Sequence, residues 1–495
     1  MIPRYSEKEI TDIFEPTERL KRFDRVEIAA AYAEEEIGGI FEGLAQELEK
    51  SLRENPPSEV RRKELEKITD HDFMAYVQQR WEILAPELKK IMHKGKTTFD
   101  IQDPADQLAL LAAIDAVIQR LTELMVVVRR KAMDYWYVPL LLRTHGQGAQ
   151  VGTFGKRLVS YLADLEIALD FIEYARGKAQ FGKMSGIVGD YQNASPEIEM
   201  LALKKLGLRP YYGATQILPR SIHAILASSI TVLCGELAKI AEDFQLMARS
   251  PKPLIQEPFK GGQTGSSANP AKKNTIKSEN TTGMFRLSLG DLVALFQNLV
   301  TKEERDIAQS SVERVALIDQ FHIALNALDN MIYIIEGVVV YRDHMMDEIR
   351  EMRGTEWAEA AKEFLVEHGL EYGITRDIAY DVVKLASHNV FYATDFRNSV
   401  PTNIEEAAND YEKLVGKKSK KPQNIRDIIN QGKLFPLPTL QIESDKIWQW
   451  NESLRKMFKD SHICWAWFEV FDIRRIFAGP EALREKLVQG RMNQS

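Results

Sequence analysis

The chain has almost no cysteine, no surplus of basic charge and no long unbroken apolar run. Its 495 residues include two cysteines, Cys234 and Cys464. That is too few for a disulfide framework or a cysteine-based zinc site, and it points to a reducing, cytoplasmic compartment. Lys+Arg 65 against Asp+Glu 72 gives a net charge of −7 at pH 7, opposite in sign to the basic face of a nucleic-acid binder. The opening residues MIPRYSEKEITDIFEP lack the apolar centre of a signal peptide. No stretch approaches the ~18 consecutive apolar residues of a membrane span. Neither nucleic acid nor membrane is therefore an expected partner. There is no Cys/His cluster at metal-ligand spacing and no Walker-type loop, so neither a metal nor an organic cofactor is expected. Strand-like alternation is nearly absent, and no internal repeat is visible.

What is present is helical. Hydrophobic residues make up 44% of the chain and charged residues 28%, an ordinary globular balance with core enough to need no staples. Leu108, Leu111, Ile114, Ile118, Leu121, Met125 and Val128 recur at steps of three and four, the spacing of one helix face. Similar runs cover 158–175, 222–247 and 312–340. The pattern predicts an all-α protein with a central bundle of long helices. The length suggests about three domains. An N-terminal helical domain is read over 1–100, broken at Glu54-Asn55-Pro56-Pro57. The long-helix bundle is read over 101–346, and a C-terminal helical domain over 347–495. The last holds a basic turn at 416–422 and the tryptophans Trp448, Trp450, Trp465 and Trp467, read as solvated turn and as core or interface. Between two periodic runs, residues 251–280 contain four Pro, three Gly and five Lys, and are read as a mobile catalytic loop.

The motifs carry the chemistry. Gly265-Ser266-Ser267-Ala268-Asn269-Pro270-Ala271-Lys272-Lys273-Asn274 resembles the GSSxMPxKxNP signature of the fumarase/aspartase superfamily. Other segments resemble its adenylosuccinate lyase family. These are Arg4-Tyr5, Thr69-Asp70-His71-Asp72, the run from His93 to Asp100, Arg143-Thr144-His145-Gly146-Gln147, Lys183 to Tyr191, Thr215-Gln216 and Glu304 to Arg314. They occur in family order. The resemblance implies a three-domain fumarase/aspartase-like fold and β-elimination of fumarate from a succinyl-amine nucleotide. It also implies a homotetramer whose active sites collect loops from three subunits.

On that resemblance Ser266 is the base and His145 the acid that protonates the leaving nitrogen, with His71 a second active-site histidine. A serine is a poor base unless its surroundings favour the alkoxide, and a histidine titrating near neutrality suits proton donation. Lys272 and Asn274, six and eight residues beyond Ser266, offer a cation and a neutral donor to the developing oxyanion. The resemblance also assigns Arg4, Tyr5, Arg305, Ser310 and Arg314 to the substrate's phosphate and ribose, and Thr97, Thr98 and Gln216 to its succinyl part, with Asp72 a further substrate-binding residue. Arginine's planar fork suits a phosphate dianion. Arg305 and Arg314 are nine residues apart and would point in opposed directions on one regular helix, so a bend or a second subunit is needed to join them. The remaining histidines, His93, His223, His322, His344, His368, His388 and His462, are read as structural or surface residues.

Several positions depart from the family pattern. Asn269 stands for Met, Ala271 for His, Thr275 for Pro, Phe99 for the second Ser of TSSD, and Gln309 for His. Base, acid and phosphate arginines survive, so the chemistry reads as intact while substrate contacts have drifted. Two alternatives follow: a paralogous lyase releasing fumarate from another succinyl amine, and a non-catalytic structural homologue. The second is opposed by the joint retention of Ser266, Lys272, Asn274 and His145.

Overall fold

The computed structural model describes residues 1–352 and, beyond them, 358, 359, 362, 363, 366, 375–377, 379, 380 and 384. The tryptophan-rich stretch, the basic turn, Cys464, His368, His388, His462 and most of the expected C-terminal section lie outside the described residues. In chain order the helices are α1 (Lys8–Ile13), α2 (Pro16–Glu36), α3 (Leu44–Glu54), α4 (Glu59–Thr69), α5 (Asp72–Ile83), α6 (Pro86–Ile91), α7 (Thr98–Asp134) and α8 (Phe154–Ala179). They continue with α9 (Pro196–Lys205), α10 (Ser221–Met247), α11 (Ile276–Gln297), α12 (Ala308–Val312), α13 (Ile318–Glu336) and α14 (Arg342–Glu351). The all-α reading holds, and so does the break after Glu54. The main departure is a hairpin of β1 (Pro139–Thr144) and β2 (Gln147–Thr153), antiparallel with a bulge at Leu142/Arg143.

The chain divides into two compact units. The first comprises Met1–Val128, Tyr161–Leu246 and Glu257–Val338. Its N-terminal helices start where the sequence signals a start. Pro16 opens α2 while the Glu15 side chain accepts from the Glu18 amide, and Ser58 caps α4 through the Arg61 amide. Leu20, Phe23 and Val26 of α2, Leu48 and Leu52 of α3, and Phe73 and Tyr76 of α5 share one core with Met184 and Leu203. The long helices are also stitched by polar contacts. Arg176 on α8 donates to Asp115 on α7 at 2.6 Å, and Tyr161 on α8 donates to Asp243 on α10 at 2.8 Å. A buried relay joins three helices. The Thr231 and Ser288 hydroxyls lie 2.9 Å apart, and Ser288 donates to Gln320 at 2.8 Å. Helix α10 is long and apolar enough to cross a membrane by those two measures, yet most of Ile222 to Phe244 is buried within the protein.

The second unit comprises Arg129–Ser160, Met247–Gln256 and the described residues from Val339 on. Here the hairpin packs on α14, held by Arg143 to Glu348 at 2.7 Å. Ile255–Gln256 pairs antiparallel with Val339–Val340.

Candidate active site

In the first unit the start of α7 is built around a fully buried ion pair. Asp100 and Lys183 have side chains at 0% exposure and meet at 2.6 Å. The other Asp100 oxygen accepts from the Thr97 amide at 2.8 Å, and Gly186 N donates to the first at 3.2 Å. Lys183 spends its other protons on the carbonyls of Gly186 and Gln216, each at 3.0 Å. Two buried charges are tolerable only when paired and fully hydrogen-bonded, and this pair is. The ion pair therefore ties together Thr97 and Gln216, with Thr98 opening α7 beside them. Sequence reasoning gave Lys183 and Asp100 no role, although Lys183 is a charge set among apolar and small neighbours. Close backbone packing adds to the constraint. Gly189 has φ +82°, and a Cβ there would lie 2.0 Å from the Ala214 carbonyl oxygen.

The segment before α12 joins this floor. Thr215 donates to the Glu304 carbonyl at 2.8 Å, and Gln216 Oε1 accepts from Arg305 at 3.0 Å. The Arg305 guanidinium lies 4.1 Å from the centre of the Phe99 ring. Phe99 is thus buried at 6% exposure beneath Arg305. Nearby Arg220, also buried, donates to Glu313 at 2.6 Å and meets Asp103 at 3.3 Å, while His223 stands 3.4 Å from Glu313. Burial pushes Asp103 above the usual carboxylate range despite Arg220. Burial also opposes charge on Glu313, but His223 and Arg220 together hold it below that range.

Arg305 and Arg314 do not share one regular helix. Arg305 lies in the loop ahead of α12, and Glu313–Leu317 is a π-helical turn, a local widening often found at functional sites. Arg314 donates to Asp72 at 2.8 Å, and Asp72 lies 4.0 Å from Arg19. His71 is the N-cap of α5, its Nδ1 accepting from the Met74 amide at 3.3 Å, which leaves the proton on Nε2. His71, Asp72 and Arg314 are thus brought together, and so are Thr97, Gln216 and Arg305. Ser310 sits half-buried in α12 between the two arginines. Arg4 and Tyr5 lie on a short 3-10 turn. Just beyond it, the Glu7 amide donates to His322 on α13 at 2.9 Å. Among the described residues no hydrogen bond or ion pair joins Arg4 or Tyr5 to Asp72, Arg305 or Arg314.

The signature loop is also in this unit, and it is shorter than expected. Residues 276–280 are already the first turns of α11, whose amides at Lys277 and Ser278 are capped by Glu257 at 3.3 and 2.9 Å. Ser266 Oγ accepts from the amides of Asn269 and Ala268 at 3.2 and 3.4 Å. A Cβ on Gly265 would lie 2.1 Å from the Lys272 carbonyl oxygen, so the two ends of the turn touch. Lys272 is exposed and Asn274 half-buried. Among the described residues neither hydrogen-bonds to Ser266.

In the second unit His145 is at the tip of the β1–β2 hairpin. The two turn residues, His145 and Gly146, have φ of +53° and +77°, the left-handed pair that a two-residue hairpin needs. Its side chain is exposed, while the preceding Arg143 is anchored to α14.

The profile of the lyase family matches residues 5–288. The adenylosuccinate lyase of Aquifex aeolicus is 34% identical over 385 residues, which is 78% of this chain and 87% of that protein. The adenylosuccinate lyase of Synechocystis is 32% identical over 406 residues, 82% and 91% of the two chains. Among solved structures, a Mesorhizobium fumarate lyase superposes with a TM-score of 0.73 at 19% identity, covering 89% of this chain and 96% of the other. A β-carboxy-cis,cis-muconate cycloisomerase from Acinetobacter calcoaceticus gives 0.70 at 18%, covering 90% and 98%. At those identities the likeness is one of fold. With more than half of its length matched by the family profile and relatives above 30% identity spanning most of it, the chain belongs to the adenylosuccinate lyases of the fumarase/aspartase superfamily, a family of fumarate-releasing carbon–nitrogen lyases.

Proposed function

We propose that the chain cleaves adenylosuccinate to AMP and fumarate, and the corresponding succinocarboxamide ribotide to the carboxamide ribotide and fumarate. The identity to adenylosuccinate lyases across about four fifths of the chain carries this reading. Ser266 Oγ removes a proton from the succinyl carbon next to a carboxylate, and the electron pair moves into that carboxylate. Lys272 and Asn274 stabilise the resulting dianion. The carbon–nitrogen bond then breaks, the double bond of fumarate forms, and His145 protonates the departing nitrogen. The two amides aimed at Ser266 Oγ support the role of base, because hydrogen bonds to an oxygen favour its charged form. Thr97, Thr98 and Gln216 orient the succinyl carboxylates. His71 holds a carboxylate or the phosphate, Arg4, Tyr5, Arg305, Ser310 and Arg314 hold the ribose and phosphate, and Asp72 is a further substrate contact.

The proposed assembly is a homotetramer whose active sites draw on three subunits. It gives residues on separate elements a way to meet. Light scattering at assay concentration should report four times the 56.6 kDa of the chain, and a monomer would overturn it. The cytoplasm is the proposed location, since Cys234 is a buried free thiol.

Purified protein should release fumarate from adenylosuccinate in an ultraviolet absorbance assay. Ser266→Ala and His145→Ala should each lower kcat by about 10³-fold or more with an unchanged circular dichroism melt. Wild-type protein that releases fumarate only from another succinyl amine would favour the second reading, a paralogue of altered substrate. Phe99, Asn269 and Ala271 at motif positions are what support that reading.

A further inference from the structure

We propose that Phe99 is a positioning residue for substrate phosphate. Its ring lies against the Arg305 guanidinium and offers no acceptor that would compete with the ligand. The inference rests on the reading of Arg305 as a phosphate contact. It starts from the substitution at position 99, where the resemblance leads one to expect a serine.

A serine at this place would be small and would present an oxygen. The guanidinium above it would be unsupported, or would spend a donor on the hydroxyl. Phe99 does neither. Arg305 stands 4.1 Å from the ring centre, within cation–π range. The same ring lies 5.8 Å from the Arg220 guanidinium, whose charge is already met by Asp103 and Glu313. Arg305 is in the opposite condition. Among the described residues its one side-chain hydrogen bond goes to a neutral group, Gln216 Oε1. Its Nε is buried without a hydrogen-bond partner, and among the described residues no carboxylate ion-pairs with it. Burial and then the like charge of Arg220 hold its pKa below the usual arginine value. A cation held against a ring, short of counter-charge and with a buried donor unmet, is prepared for an anion that accepts two hydrogen bonds side by side. Gln216, held by Lys183 through its carbonyl and touching Arg305 through its side chain, links this phosphate contact to the succinyl side of the site.

The test is kinetic and uses the full-length protein. Phe99→Leu keeps the apolar volume and removes the π face. It should raise KM for adenylosuccinate roughly 3- to 30-fold, the span of a cation–π contact from exposed to desolvated, with kcat within about twofold. Titration calorimetry with AMP should show the same loss of affinity. Phe99→Tyr should restore both. On the dephosphorylated substrate, succinyladenosine, wild type and Phe99→Leu should be equal, and in an Arg305→Ala background Phe99→Leu should add no further loss. Unchanged KM and AMP affinity in Phe99→Leu would overturn the proposal, as would equal losses on both substrates. If Phe99→Leu does not fold, Phe99→Met takes its place with the same expected values. Wild-type protein that neither turns over adenylosuccinate nor binds AMP would remove the reading of the site and this inference with it. An active wild type with an indifferent Phe99→Leu would remove this inference alone.

Discussion

Two parts of the first unit carry positive charge in opposite ways. At the start of α7, Lys183 and Arg220 are buried and committed to carboxylates and carbonyls at 2.6 to 3.5 Å. In the turn around Ser266, Lys272 is exposed, and the turn is held by a few backbone amides. The difference is one of timing. A buried ion pair fixes its neighbours before any ligand arrives, so the floor that presents Thr97, Gln216 and Arg305 is set in the resting protein. A turn held by exposed hydrogen bonds costs little to rearrange, so the group proposed as base can take its final place when substrate binds. The half proposed to bind substrate is prebuilt, and the half proposed to react is adjustable.

The largest expected contrast comes from removing one lysine from each part. Lys183→Met leaves Asp100 charged at 0% exposure and should cost about 3–5 kcal/mol of stability in urea denaturation. Lys272→Met should stay within about 0.5 kcal/mol of wild type. Its kcat should nonetheless fall by about 10²–10³-fold, as the oxyanion loses its cation. Equal stability losses for the two variants would break the comparison.

The glycines give a smaller contrast of the same kind. Alanine at Gly189 must adopt a left-handed backbone and also displace the Ala214 carbonyl. It should destabilise the protein by about 1–3 kcal/mol. Alanine at Gly265 keeps an ordinary backbone and meets the Lys272 carbonyl and the edge of the Phe259 ring, in a turn that can open. It should leave the melting temperature unchanged and lower kcat by about 10²-fold, because a misplaced base reacts poorly. Stability that falls as far for Gly265→Ala as for Gly189→Ala would show the turn to be as rigid as the floor.

The fold was legible because helical periodicity survives burial: the runs at 108–128 and 222–247 became α7 and α10. The β1–β2 hairpin was not. Leu140, Leu141 and Leu142 run together without alternation, and the turn signal, His145-Gly146, is one that many loops share. Within the candidate site, motif spelling located Thr97, Gln216 and Arg305 individually but could not say what joins them. The join is Lys183 with Asp100, whose sequence separation of 83 residues hides a 2.6 Å contact. The expected opposition of Arg305 and Arg314 assumed a regular helix. The loop before α12 and the π turn at Glu313–Leu317 remove that premise, which no residue pattern in the segment announces.

Asn269 makes the finest test of how loosely the reacting half is held. Its side-chain oxygen accepts from the Ala271 amide at 3.0 Å, its carbonyl accepts from the Lys272 amide at 3.1 Å, and its own amide donates to Ser266 Oγ at 3.2 Å. Only the first of these belongs to the side chain, and it closes an exposed turn where water can substitute. Losing it should cost about 0.5–1 kcal/mol, enough to reduce the organised turn population and hence kcat by roughly two- to fivefold. Asn269→Ala and Asn269→Met should show that same small loss with unchanged stability, and Asn269→Ser, which keeps a weaker acceptor, should fall between them and wild type. The methionine variant matters most, because it restores the residue of the family pattern. Wild-type activity in Asn269→Met would mean the asparagine bond contributes nothing. A hundredfold loss would mean the turn is locked in place like the floor beneath Arg305.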